Sequence, residues 1–343
     1  MPEQVYRGAV LAGDDFEPVR AAVIVEDGVI TAIEEDSSAP DLWICPAFFN
    51  AHTHLGDTVA MDFATCGDLE ALVTPPHGLK HRILGSTPRP RLIEGMRASI
   101  RGMQATGTAG FADFREGGAD GVTALREAVQ GEPILPLIFG REGGETIADG
   151  IGISSARDIP DTEEQVRRAR AAGRLVAFHA GEKDPDDIDA ALCYDPDLLV
   201  HCTHATRGQL RAIADAGVPV AVCIRSNWTL GVTCDAGRPP VREMAACGCT
   251  WYIGTDNVMF VQPDMLREMS FCETVTRMPP EEILRAAVGG AALASRSFPI
   301  KKGNRANFII IDPDRAGLGF SPDPIASIVK RVGERSILQT VIN

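Results

Sequence analysis

Short apolar runs alternate with amphipathic stretches through most of the chain. The apolar runs are rich in β-branched and aromatic residues and read as buried strands at 43–52, 108–114, 134–140, 148–154, 174–180, 197–202, 218–224 and 250–256. Between them, apolar residues recur at helical spacing over 91–107, 161–174, 206–217, 263–277 and 279–294. Asp161 with Glu164, and Thr206 with Gln209, have the spacing of helix N-terminal capping pairs. Eight buried strands interleaved with helices predict a parallel sheet closed into a (β/α)8 barrel, with an open doubly wound sheet as the alternative. Residues 56–90 form a long insert after the first barrel strand, where a loop more often lines a pocket than merely spans a gap.

The two ends of the chain have a different texture. Residues 5–35 read as strands with a hairpin turn at Asp27-Gly28, and short β segments return at ANFIIIDPD and ILQTVIN. These predict a small β-sandwich from residues 1–45 and 299–343, flanking a barrel over 46–298.

At 343 residues and 45% hydrophobic content, the chain can bury a large core. Its net charge of −14 and only five lysines argue against nucleic-acid or anionic-lipid partners. No apolar stretch approaches the ~20 residues of a membrane helix, and the first ten residues lack a signal-peptide core. Nine scattered cysteines, without a C-x-x-C pair, predict reduced, buried thiols in a cytoplasmic protein.

The chemistry concentrates at the strand ends. His52 and His54 in AHTHLG lie two apart on a strand, so both imidazoles face one side and can share a transition metal such as zinc or iron. His179, His201 and Asp256 end three further strands. In a barrel such ends converge on one face, where buried unpaired imidazoles and carboxylates would be costly and a metal would satisfy them.

AHTHLG, HAGE, VHCTH and GTDN, in this order and on these strands, resemble the amidohydrolase superfamily, and specifically its mononuclear cytosine and adenosine deaminase-like branch. The resemblance implies that His52, His54, His179 and Asp256 ligate one divalent metal, zinc ahead of iron. It implies that Glu182, three residues after His179, shuttles protons, that His201 orients the attacking water, and that Asp256 takes the water proton. His204 competes with His201, but His201 directly follows the apolar run while His204 is already in the turn. Binuclear members carry a bridging lysine on the fourth strand; ADGIGISS has none, which favours one metal.

Arg115, Arg141, Ser154 and Asn227 follow other strands and are candidates for substrate contacts. Arginine there suits an anionic or carbonyl-bearing substrate, though a rim salt bridge would use it equally well. The expected activity is hydrolytic deamination of an aminated heterocycle such as a purine, pyrimidine or pterin, with water and a small molecule as the only partners and a homodimer allowed. Ring-opening hydrolysis of a cyclic amide or imidazolone is the alternative, distinguished by the absence of ammonia release. A non-catalytic metal-binding sensor on the same fold is a third reading.

Overall fold

The computed structural model describes residues 3–63, 69–74, 77–157 and 161–343. Cys66 and parts of the 56–90 insert lie outside the described residues. Eight parallel strands form the central barrel: β5 (Phe48–His54), β6 (Thr108–Arg115), β7 (Leu135–Gly140), β8 (Gly150–Ile153), β9 (Leu175–Ala180), β10 (Leu198–His201), β11 (Val220–Val222), and an eighth strand in two pieces, β12 (Trp251–Ile253) and β13 (Asp256–Asn257). The break in the eighth strand closes the barrel: β12 pairs with β11, whereas β13 pairs with β5. Seven other strands pair in sequence order between them, as consecutive right-handed β-α units require.

The apolar run at 43–52 is two strands. β4 (Trp43–Pro46) belongs to a second sheet, and the chain crosses to the barrel at Ala47. With β1 (Gln4–Ala12), β2 (Glu17–Glu26), β3 (Val29–Glu35), β14 (Phe308–Ile311) and β15 (Ile337–Val341), it makes a six-stranded sheet in the order β15-β14-β4-β1-β2-β3. This sheet curls on itself. Ile30 N donates to Asn304 O (2.9 Å) and Gly303 N to Ile30 O (2.8 Å), and the enclosed face buries Val10, Val23, Ile44 and Phe308.

Helices cover the barrel with one apolar stripe each. Helix Arg89–Ala105 buries Ile93, Met96, Ile100 and Met103, the i, i+3, i+7 spacing of a single face. The capping expectations divide. Thr206 and Gln209 form a reciprocal capping box, while Asp161 turns into the left-handed region (φ 62°) and makes no side-chain capping bond. The insert carries a helix of its own, Leu79–Ser86. The eight described cysteines are unpaired; five are buried, but Cys193 and Cys234 are exposed. No helix among the described residues is long and apolar enough to cross a membrane.

The seam between first and eighth strands is fastened by a fully buried asparagine. Asn50 Nδ2 donates to Thr255 Oγ1 (2.7 Å), and Asn50 Oδ1 accepts from Thr255 N (3.0 Å). Replacing Asn50 with alanine strands the buried Thr255 Oγ1, while Thr255 N keeps His52 O (3.1 Å), which should lower stability by about 1–3 kcal/mol. The urea midpoint of Asn50→Ala is expected to fall; an unchanged midpoint would mean that backbone pairing alone holds the seam.

Candidate active site

Strand alternation points His52 and His54 to one side, into the mouth of the barrel. Asp256 meets them across the seam, with Oδ1 3.1 Å from His52 Nε2 and 3.6 Å from His54 Nε2. The neighbouring strand ends bring in His179, whose ring lies 4.8 Å from that of His52, and His201, 5.4 Å from His179. Both His201 (φ 74°) and Asp256 (φ 61°) adopt left-handed backbone, a strained conformation for residues with side chains that recurs at functional strand ends. Ser226 Oγ donates to Asp256 Oδ2 (2.6 Å) and fixes the carboxylate from the far side.

Glu182 reaches the cluster by a turn. Gly181 has φ 69°, and a Cβ there would stand 2.6 Å from Ile188, so glycine lets the chain double back and lay Glu182 beside His201. Glu182 Oε2 lies 3.7 Å from His201 Nε2. His204 spends its backbone on the same turn, donating to Gly181 O (2.9 Å), and its side chain does not line the cavity.

Burial governs the protonation of these groups. It pulls the imidazole of His52 down to about 4 against the favourable contact with Asp256, and that of His54 to about 3 with help from Lys80. His179 is also held well below the usual imidazole range, by burial and then by Arg141. Burial opposes the charge on Asp256, but the hydrogen bond with His52 prevails and holds its carboxyl well below the usual range. Burial pushes the Glu182 carboxyl up, with His201 opposing. Three neutral imidazoles beside an ionised carboxylate are a transition-metal donor set.

The geometry fits an ion. Single donor atoms from His52, His54 and Asp256 lie within 4.8 Å of one another, as do those of His52, His179 and His201, and those of Glu182, His201 and Asp256. His179 Nδ1 sits 3.2 Å from Ile153 O; a proton on Nδ1 for that carbonyl leaves Nε2 with a free lone pair. The buried Nδ1 atoms of His52 and His201 have no hydrogen-bond partner among the described residues.

The cluster opens onto a cavity of about 400 Å³, within the size range of small-molecule sites. Of the four residues considered for substrate contact, Arg141 and Ser154 line it and Arg115 and Asn227 do not. Phe114 points into the barrel against His52 (ring centroids 4.4 Å), so alternation turns Arg115 outward, where it pairs with Glu116 Oε2 (2.7 Å) beneath Met96. Asn227 is fully buried and donates to Thr203 Oγ1 (2.5 Å). Sequence reasoning did not single out Ser226 or Asp57, which nothing local marks. Lys80 and Glu116 stand out only by position, in the insert and after the second strand.

Residues 43–343 match the amidohydrolase family. A protein of Methanothermobacter thermautotrophicus, provisionally named an aminohydrolase, is 34% identical over 98% of this chain and 97% of its own length. A 5-methylthioadenosine/S-adenosylhomocysteine deaminase of Halobacterium salinarum is 24% identical, covering 96% of this chain and 86% of that protein. Among solved structures, a zinc-containing adenosine deaminase from Xanthomonas campestris superposes with a TM-score of 0.83 at 17% identity, over 98% of this chain and 91% of its own. The chain belongs to the amidohydrolase family.

The lowered imidazoles set a pH dependence. In the folded, metal-free protein His52 and His54 protonate only near about 4 and about 3, whereas in the unfolded chain they do so near ~6.5. The unfolded state therefore binds more protons between those limits, and stability is lost as pH falls below ~6.5. Thermal melts of chelator-treated protein should show this acid-side decline, and His52→Asn should make it shallower. Equal slopes for the two proteins would refute the assignment.

Proposed function

We propose that the protein is a hydrolytic deaminase of an aminated heterocycle, replacing a ring amino group with a carbonyl and releasing ammonia. The observation that carries this reading is the meeting of Glu182, His201 and Asp256 at the cavity, with their donor atoms within 4.8 Å. His52, His54, His179 and Asp256 are the side chains that would hold one divalent ion, zinc ahead of iron. When bound, such an ion supplies Lewis acidity and lowers the pKa of water in its shell toward ~7.

The chain's own residues then divide the proton work. The raised pKa of Glu182 keeps its protonated form accessible, so it can deliver a proton to a ring nitrogen and make the adjacent carbon electrophilic. Asp256, ionised, accepts a proton from the attacking water, while His201 orients that water. Arg141 donates from Nε to Gly152 O (2.9 Å), and its Nη1 lies 3.8 Å from Glu116, beyond hydrogen-bond range. Arg141 Nη2 lies 3.1 Å from His179 Nδ1 and 3.5 Å from Nε2; with Nδ1 protonated toward Ile153 and the Nε2 lone pair given to an ion, neither nitrogen would accept from it. A buried guanidinium with open donors favours a substrate bearing a carbonyl or anionic oxygen.

One ion rather than two is supported by Glu116. It is the other carboxylate touching His54, but Lys80 and Arg115 already neutralise it. The unpaired cysteines among the described residues suit a cytoplasmic setting.

The test is ammonia release from a panel of aminated purines, pyrimidines and pterins by zinc- and iron-loaded protein. Glu182→Gln should keep its metal and lose about 10²–10⁴-fold in kcat. Arg141→Met should raise KM more than it lowers kcat. A metal-loaded Glu182→Gln with full turnover would exclude Glu182 as the shuttle. Consumption of an imidazolone without ammonia would transfer the assignment to ring-opening hydrolysis.

A further inference from the structure

We propose that Glu116 and Lys80 form an outer shell that positions His54, and that Lys80 ties the seating of the insert helix Leu79–Ser86 to the imidazole–carboxylate cluster. The inference rests on the reading of His54 as a metal ligand. While Nε2 of His54 faces Asp256, its Nδ1 lies 2.9 Å from Glu116 Oε1. That contact has hydrogen-bond length without ideal alignment, so the carboxylate acts on the ring chiefly as a charge at short range. A carboxylate beside Nδ1 keeps the proton on that nitrogen and leaves Nε2 as the donor lone pair.

Glu116 is itself held from two sides. Lys80 Nζ lies 2.9 Å from the same Oε1 and 3.1 Å from Asp57 Oδ2, and Arg115 Nη2 lies 2.7 Å from Oε2. The network returns to its starting point. Arg115 Nη1 is 3.5 Å from Asp113 Oδ1, and Asp113 Oδ2 accepts from Leu55 N (2.6 Å), the residue after His54. Gly56 lets the backbone lie against Arg115, because a Cβ there would stand 2.2 Å from the guanidinium. All of these side chains are buried. Breaking one pair therefore leaves a charge uncompensated, and the strain passes to the partners rather than to solvent. Lys80 alone among them comes from the insert helix Leu79–Ser86, and it also lines the cavity. The helix that walls the substrate space is thereby joined through Glu116 to a ligand.

The sign of one substitution separates this role from mere proximity. As a nearby cation Lys80 would repel a divalent ion, and its removal would tighten binding. As a positioning residue its removal loosens Glu116 and weakens binding. Zinc affinity is to be measured by chelator competition on the full chain, with folding checked by circular dichroism. Glu116→Gln should weaken zinc binding about 10–100-fold, and Lys80→Met by about tenfold, the lower end of outer-shell effects. Lys80→Arg should restore most of the loss, and the double variant should lose less than the product of the two. Zinc should also slow amide hydrogen exchange over residues 79–86 in the wild type and not in Lys80→Met. Should Glu116→Gln fail to fold, Lys80→Met, which keeps Glu116, decides alone. Unchanged or tighter zinc binding by folded Lys80→Met overturns the inference while leaving the ligand assignment intact. Failure of the wild type to bind zinc overturns both.

Discussion

The first and eighth barrel strands meet along a seam of two residue pairs, Asp256 with Thr53 and Asn257 with His54, and the site depends on that seam. Thr255 N donates to His52 O (3.1 Å) just before the chain turns left-handed at Asp256. That turn swings the carboxylate over both imidazoles of the first strand. A non-glycine residue in this conformation costs about 1 kcal/mol or more. The charge-assisted bond from Ser226 Oγ at 2.6 Å is of the size that offsets it. Two groups separated by 204 residues are thus brought within 3.1 Å by barrel closure.

Closure creates an electrostatic problem that the surrounding residues solve in two ways. The imidazoles of His52, His54 and His179 are buried so deeply that they stay neutral, which avoids desolvating a cation and leaves basic lone pairs. Carboxylates cannot be treated the same way without losing their charge. Asp256 keeps its charge through His52 and Ser226, and Glu116 through Lys80, His54 and Arg115, although burial opposes both. Buried ion pairs of this kind contribute little net stability, because desolvation consumes most of the attraction. Their presence here is better explained by the direction they impose on His54 and Asp256.

What could be read from the residues follows from how local each signal is. The i, i+2 spacing of His52 and His54 is complete within one strand, and the strand ends at His179, His201 and Asp256 follow from short apolar runs. Barrel architecture then converts strand ends into neighbours. Position after a strand is weaker evidence, because it leaves the side to which a residue points undetermined. Phe114 takes the inward side of the second strand, so Arg115 is sent to the helix layer, whereas Arg141, after the inward-facing Phe139, reaches the cavity. Asn227 lies in a helical turn beyond its strand, where period-two reasoning no longer applies. Ser226 and the Lys80–Glu116 pair act across 30 and 36 residues and leave no local pattern. The split of 43–52 into two strands was equally hidden, since a continuous apolar run reads the same whether one sheet or two receive it.

The barrel separates the groups that do chemistry from those that choose a substrate. Ligand-type side chains stand on strands, whose positions are set by eight-fold packing and change little without loss of the core. Cavity walls come from turns and short helices: Gln165, Leu230, Arg141 and the insert residues Val73, Thr74 and Lys80. Such segments tolerate change, so substrate choice can vary while the cluster is preserved. Lys80 crosses that division. Its ammonium faces the cavity while its partner Glu116 touches His54, so a change in the insert is felt by a side chain of the cluster. An insert free to drift would tug on the imidazole it is coupled to, and the buried charges around Lys80 are the restraint that prevents it.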